Sequence, residues 1–214
     1  MTTQSQTVQM VPLDRRIAVG RVDDETRTVE LVFSTKAGGD VLRYDWDTGK
    51  KFWERLSLDA GHVRLDRLNH GAPLLNAHSA WELGNVIGVV EENSVVLTKS
   101  EARATVRFSR RADVEPFYQD VRDGIIRNVS VGYRVHRMEE QAAGKDGYPV
   151  RLAVDWEPYE ISMVPMGADA GARVRQRSSE VETYACALVA SGVPQAGVTD
   201  ADRVRRLRLA SVRG

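Results

Sequence analysis

Two short runs of this 214-residue chain each set one reactive side chain inside an apolar, strand-like stretch: Leu74-Leu75-Asn76-Ala77-His78 and Asn128-Val129-Ser130-Val131-Gly132-Tyr133. A serine hydroxyl is a poor nucleophile near neutral pH. Acyl transfer through it needs an imidazole within hydrogen-bond reach to take its proton and pass it to the leaving group. His78 and Ser130 are the candidates for that pair. A third group usually orients the imidazole, and Glu157-Pro158-Tyr159-Glu160-Ile161-Ser162-Met163-Val164-Pro165 offers Glu160 at the mouth of another strand-like segment. Asp155 and Glu157 are near enough in sequence to compete for that role, and Ser162 is a rival serine in a similar strand. The order His, Ser, acid differs from chymotrypsin-like and subtilisin-like enzymes, and Ser130 sits in no Gly-x-Ser-x-Gly elbow, so the common serine hydrolase folds fit poorly.

The elements that must position these residues follow from hydrophobic periodicity, and they predict a mainly β fold with helices, an α+β protein. From Arg16 to Val22 and from Thr28 to Thr35, β-branched residues alternate with polar ones around a Val22-Asp23-Asp24-Glu25 turn, which predicts a hairpin. Further strands are expected over 72–76, 85–91, 94–99, 102–109, 128–138, 149–156 and 159–164. In one of them Ala102, Ala104, Val106 and Phe108 share a face, with Arg103, Thr105, Arg107 and Ser109 on the other, as in a barrel or sandwich wall wet on one side. Over 113–124, Val114, Phe117, Tyr118 and Val121 recur at helical steps. Asp113 is the expected N-cap, Pro116 suits the first turn and Gly124 the stop, so this helix leads towards Ser130 and gives it a rigid mount. Gly132 is expected to let another backbone pass closely.

Residues 1–14 are polar and aperiodic, which predicts a flexible arm. Gly38-Gly39-Asp40 and Lys50-Lys51 mark loops on the way to Phe52-Trp53-Glu54-Arg55, expected to seal part of the core or rim a groove. After Arg173, Ser179 to Glu182 has capping-box spacing and Val181, Tyr184, Ala185 and Leu188 form an apolar stripe, predicting a helix to Ala190. A second, basic helix is expected from Thr199 through Arg203, Arg205, Arg206 and Arg208. The domain reading is an arm over 1–14, a main domain over 15–175 and a helical, basic appendage over 176–214.

Three blocks, in their order and separation, carry a family likeness. They are the His78 run followed by Gly84-Asn85-Val86-Ile87-Gly88-Val89-Val90, the run from Asp123 through Ser130 to Tyr133, and Glu160-Ile161-Ser162-Met163-Val164-Pro165 with Ala168 to Ala172 after it. In these the chain resembles the prohead (capsid maturation) proteases of tailed bacteriophages, similar in fold to the herpesvirus assemblins, over residues 15–175. The resemblance implies a closed or nearly closed antiparallel β-barrel with peripheral helices. It implies His78 as general base, Ser130 as nucleophile and Glu160 as the orienting acid, with Gly167-Ala168-Asp169-Ala170-Gly171-Ala172-Arg173 as the place to seek oxyanion donors. It further implies a serine endopeptidase that processes scaffold and capsid protein, and itself, inside immature proheads in the host cytoplasm. The expected partners are the major capsid protein and scaffold segments, with a homodimer as a further assembly.

Composition agrees without being decisive. Lysine plus arginine number 30 and aspartate plus glutamate 30, so the formal net charge is zero, which argues against a dedicated nucleic-acid binder. The single cysteine, Cys186, leaves no intramolecular disulfide. The first dozen residues hold no apolar signal region, and no stretch approaches the roughly 18 apolar residues of a membrane span, so no membrane partner is expected. His62, His70, His78 and His136 stand apart and no Cys-x-x-Cys or His-Glu-x-x-His spacing exists, so neither metal nor cofactor is expected. Blander readings compete: a core histidine, a serine filler, a Glu160 that is solvated or paired with Arg134 or Arg151, and Trp46, Trp53, Trp81 and Trp156 as core and rim packing. At the level of function, the competitors are an inactive protease-like assembly module and an unrelated β-barrel binding domain.

Overall fold

The alternation along the sequence becomes strands almost wherever it is clean. In the computed structural model, which describes residues 6–10, 13–36, 40–144, 146–165 and 184–190, the strands up to the first helix are β1 (Gln6–Met10), β2 (Leu13–Asp23), β3 (Thr28–Thr35), β4 (Val41–Asp45) and β5 (Lys50–Leu56). They are followed by α1 (Asp66–Asn69), β6 (Pro73–Asn76), β7 (Val86–Val90), β8 (Val96–Leu97) and β9 (Glu101–Phe108). The remaining elements are α2 (Glu115–Arg122), β10 (Asn128–Ala143), β11 (Pro149–Val164) and β12 (Tyr184–Ala190). On β9, Ala102, Ala104, Val106 and Phe108 are all buried, and β3 sets Val29 opposite Val106 and Leu31 opposite Ala104 in the same core. Burial of each larger apolar side chain of this kind stabilises the fold by about 1.5–3 kcal/mol.

The predicted helix is α2. Val114, Tyr118 and Val121 are buried and Phe117 packs partly against the core. Its N-cap is Val114 and not Asp113, whose carboxylate instead accepts from Arg111 at 3.0 Å. At the other end Gly124 adopts φ 71°, a left-handed conformation that glycine takes without steric cost. The Ile125 and Ile126 N–H groups then donate to the Asp120 carbonyl, at 2.7 and 3.0 Å, which sets the angle at which the chain enters β10.

The strands form one sheet of path β1-β12-β10-β2-β3-β9-β7-β6-β11-β5-β4, with β8 beside β9 and a further pairing of β10 with β11. The mainly β, α+β expectation holds, but an antiparallel closed barrel does not describe this sheet. Taken whole, it ends on β1 and β4, and β11 runs parallel to both β5 and β6 while β10 runs parallel to β12. The reason is the length of β10 and β11, 16 residues each. Strands this long outrun their central neighbours and recruit others along their extra length.

Several segments differ from the sequence reading: the strands expected over 149–156 and 159–164 are the single strand β11, and that expected over 94–99 is the two-residue β8. Gln6–Met10, within the expected arm, is β1 and pairs antiparallel with β12. Tyr184–Ala190, where the apolar stripe predicts a helix, is the strand β12; the remaining expected helical residues lie outside the described ones. The loop expected around Lys50-Lys51 is instead the start of β5, which forms an antiparallel hairpin with β4. Its Glu54 is fully buried against the Tyr133 hydroxyl, and Arg43 also reaches that hydroxyl, at 3.1 Å. Of the four tryptophans, Trp156 is a core residue, whereas Trp46 and Trp81 are exposed.

Candidate active site

Ser130 lies near the start of β10, where Val129 and Val131 alternate with Ser130 and Gly132. The β10–β11 ladder sets Ser130 opposite Ser162 and Gly132 opposite Glu160. Directly opposed residues of an antiparallel pair point to the same sheet face, and so do residues two apart on one strand. Ser130, Gly132, Glu160 and Ser162 therefore share a face, while Val129, Val131, Ile161 and Met163 turn to the other. On the far side of β11, β6 runs parallel to it, with Leu75 opposite Ser162 and Asn76 opposite Met163.

Where β6 ends, the chain folds back through a tight turn closed by the Ser79 N–H on the Asn76 carbonyl at 3.0 Å. Its two central residues, Ala77 and His78, have φ 51° and 62°. Left-handed backbone costs a non-glycine residue roughly 1–2 kcal/mol and persists only where surrounding contacts enforce it, commonly at functional sites. Two such contacts exist: the Ala77 N–H donates to the Met163 carbonyl at 2.9 Å, and the His78 N–H donates to Ser162 Oγ at 3.0 Å.

This turn brings the His78 ring back to β11. Nδ1 lies 2.7 Å from Glu160 Oε1, and Ser162 Oγ–H donates to Glu160 Oε2 at 2.7 Å. Glu160 is 4% exposed while the His78 side chain is 30% exposed, so it is the carboxylate end of the pair that is shielded from solvent. Gly132 shows why the carboxylate fits. A Cβ added there would lie 2.9 Å from both Cγ and Cδ of Glu160, and closer still to Oε1. The space at Gly132 is thus filled by the Glu160 side chain and not, as expected, by a passing backbone. The carboxylate leans across β10 at Gly132, two residues from Ser130, and bonds the imidazole through Oε1.

The Ser130 hydroxyl is fully buried and has no hydrogen-bond partner among the described residues. A buried serine that merely fills space is normally bonded, because leaving its hydroxyl unsatisfied costs about 1–3 kcal/mol. A histidine held at Nδ1 by a carboxylate can exchange a proton at its other ring nitrogen, and a buried hydroxyl on the sheet face of that carboxylate is the type of group such exchange serves, although no hydrogen bond joins His78 to Ser130 in this structure.

The rival residues are engaged elsewhere. Asp155 takes a two-point contact from Arg64, at 2.6 and 2.5 Å, and Glu157 accepts from His136 Nε2 at 3.1 Å. Arg151, a suggested partner of Glu160, pairs with Asp45 at 2.7 Å instead. His62 bonds Ser57 and His70 bonds the Asp66 carbonyl. The sequence reading missed Ser162 as a support, having treated it only as a second nucleophile; its position two residues after Glu160, on the same strand face, was the available signal. The loop proposed for oxyanion donors, Gly167 to Arg173, lies outside the described residues. A cleft of about 520 Å³ lined by Asp66, Arg67, His70, Pro73, Glu157 and Tyr159 includes none of Ser130, His78 or Glu160.

Residues 43–186, about two thirds of the chain, match the sequence profile of the caudovirus prohead serine proteases. The chain belongs to this family. The prohead protease match begins in β4 and contains His78, Ser130, Glu160 and Ser162. A stretch of 116 residues, 54% of the chain, is 39% identical to part of the major capsid protein of Halomonas phage phiHAP-1. The chain spans 19% of the length of that relative. No solved structure matches. Among the described residues no helix is long and apolar enough to cross a membrane.

Proposed function

We propose that this chain is a serine endopeptidase of phage capsid maturation, with Ser130 as nucleophile, His78 as general base and acid, and Glu160 as the group that orients the imidazole. The observation that supports the reading is a buried hydroxyl, without a partner among the described residues, on the same sheet face as a buried carboxylate that bonds an imidazole, within a chain of the prohead protease family. In the reaction, Ser130 Oγ attacks the scissile carbonyl carbon as His78 takes its proton. The proton then passes to the leaving amine as the C–N bond breaks. Water, deprotonated by the same imidazole, releases the acyl group and restores Ser130. Glu160 favours the tautomer with the proton on Nδ1 and stabilises the imidazolium as it forms.

The likeness to a protein named major capsid protein supports capsid polypeptide as a substrate, the prohead protease family supports an immature prohead as the place of action, and we propose scaffold segments as further substrates and the host cytoplasm as the setting. Trp81 and Leu83, 90% and 88% exposed in the loop that follows His78, offer apolar surface to a polypeptide beside the site. Arg111 ties that loop down through the Gly84 carbonyl at 2.8 Å. A second reading, an inactive protease-like assembly module, draws on the same capsid-named relative.

Co-expression with the cognate capsid and scaffold proteins, followed by intact-mass measurement, separates the two. Defined fragments with the wild type that vanish with Ser130→Ala, while shells still assemble, support the protease. Identical processing with both proteins removes Ser130 from the nucleophile role and favours the assembly module.

A further inference from the structure

We infer that Ser162 is a positioning residue for this chemistry, acting through His78 and Glu160 at once; the inference rests on the roles proposed above. Its hydroxyl lies between the two. The O–H donates to Glu160 Oε2 at 2.7 Å, and the oxygen accepts the His78 N–H at 3.0 Å. Because the His78 ring meets Glu160 Oε1 at 2.7 Å, the contacts close a loop from the His78 backbone through Ser162 and Glu160 to the His78 imidazole.

Each link does something that the others cannot. A carboxylate bonded at one oxygen can rotate about its last torsion, whereas bonds at both oxygens fix its plane and therefore the line along which Nδ1 is held. The backbone contact acts on a different freedom, holding His78 at φ 62°, a left-handed conformation uncommon for residues that carry a side chain. Ser162 is fully buried, so no water can replace its hydroxyl without rearrangement. The same contacts argue against Ser162 as the nucleophile. Its proton is committed to the Glu160 carboxylate, and its oxygen accepts the His78 backbone N–H.

The test has two arms. In the first, cleavage of a peptide spanning the processing site, read from the fragment ends, is compared for wild type, Ser162→Ala and Ser162→Thr. Ser162→Ala is expected to lower kcat about 10–100-fold with KM little changed, since misplacement near the reacting groups acts on the transition state. Ser162→Thr, which keeps Oγ, is expected to recover most of the loss. In the second arm the His78 ring N–H resonance is recorded by NMR in Ser130→Ala protein, which needs no activity. Adding Ser162→Ala is expected to shift and broaden that resonance, and adding Ser162→Thr is expected to leave it near its original position.

An unmoved resonance in Ser130→Ala/Ser162→Ala overturns the inference whatever the activity. So does unchanged kcat in Ser162→Ala, or equal loss in the Ala and Thr variants with both folded. A resonance that moves as expected in a protein that never cleaves leaves the positioning role intact and overturns the protease reading instead.

Discussion

Ser57, His62 and Asp59 form a second grouping of serine, imidazole and carboxylate in this molecule, and setting it beside Ser130, His78 and Glu160 separates residue content from arrangement. In the local grouping Ser57 Oγ lies 2.7 Å from His62 Nδ1, and Asp59 Oδ2 approaches the same nitrogen at 3.8 Å. One ring nitrogen serves both partners, so no proton can enter the ring from one and be balanced at the other. The Ser57 oxygen also accepts the Asp59 N–H at 3.3 Å, as a turn-stabilising side chain does, and Asp59 is largely exposed. At His78, by contrast, the carboxylate is buried and held at both oxygens, Oε1 by His78 Nδ1 and Oε2 by Ser162. Proximity in sequence assembled the first grouping, and sheet register assembled the second. Only the second fixes the imidazole at Nδ1 with a buried carboxylate.

The strongest way to break the contrast is Glu160→Gln, which keeps shape but replaces a symmetric acceptor with an amide that can bind the wrong tautomer. We expect kcat to fall by about 10⁴-fold with the fold retained, checked by peptide cleavage alongside circular dichroism. A carboxylate needed only for stability would leave kcat near wild type. Gly132→Ala comes next. The new methyl group would meet Cγ and Cδ of Glu160 and push the carboxylate from His78, so cleavage should drop on the order of 10²-fold while Glu160 itself is untouched.

A pH series sharpens the comparison by separating site from fold. Burial alone would raise the Asp45 carboxyl, but the hydrogen bond and charge of Arg151 and the N–H of Thr48 outweigh it and hold the group below the usual carboxylate range. A depressed carboxyl contributes stability that is present above its unfolded pKa and is lost as pH falls through the folded one. This contribution should therefore persist at neutral pH and disappear only below about pH 4. Loss of cleavage at a higher pH, with the circular dichroism signal unchanged, reads protonation at the site. Coincident loss of both would assign the acid limb to unfolding. The smallest effect is expected from Ser57→Ala, which should leave cleavage unchanged and lower stability by no more than about 1.5 kcal/mol in denaturant titration. A fall in kcat comparable to that of Ser162→Ala would end the distinction between the two groupings.

Much of the scaffold was legible from local pattern, and the failures have physical causes. The period-two alternation of Ala102 to Phe108 and the helical stripe of Val114, Tyr118 and Val121 place these residues in the core before any tertiary contact is known. The stripe at Val181, Tyr184, Ala185 and Leu188 misled, because apolar spacing in a short run suits either period and the choice falls to the neighbouring strands, here β1 and β10. The β4–β5 hairpin was missed because Lys50-Lys51, the first residues of β5, read as a loop. Its strand character comes from pairing with β11 and from burying Phe52 and Glu54, not from its own propensity.

The amino-acid sequence by itself determined the reactive types, the faces of the clean strands and the order His78, Ser130, Glu160, since these depend on side-chain identity and on periods of two or 3.6 residues. Tertiary structure alone decided which of Asp155, Glu157 and Glu160 meets the imidazole, why position 132 has no side chain, and what Ser162 does. Those outcomes turn on the register between β10, β11 and β6, and on a left-handed turn at Ala77 and His78. A shift of one residue in that register would send every side chain to the opposite face, and no local pattern around any of the residues specifies it.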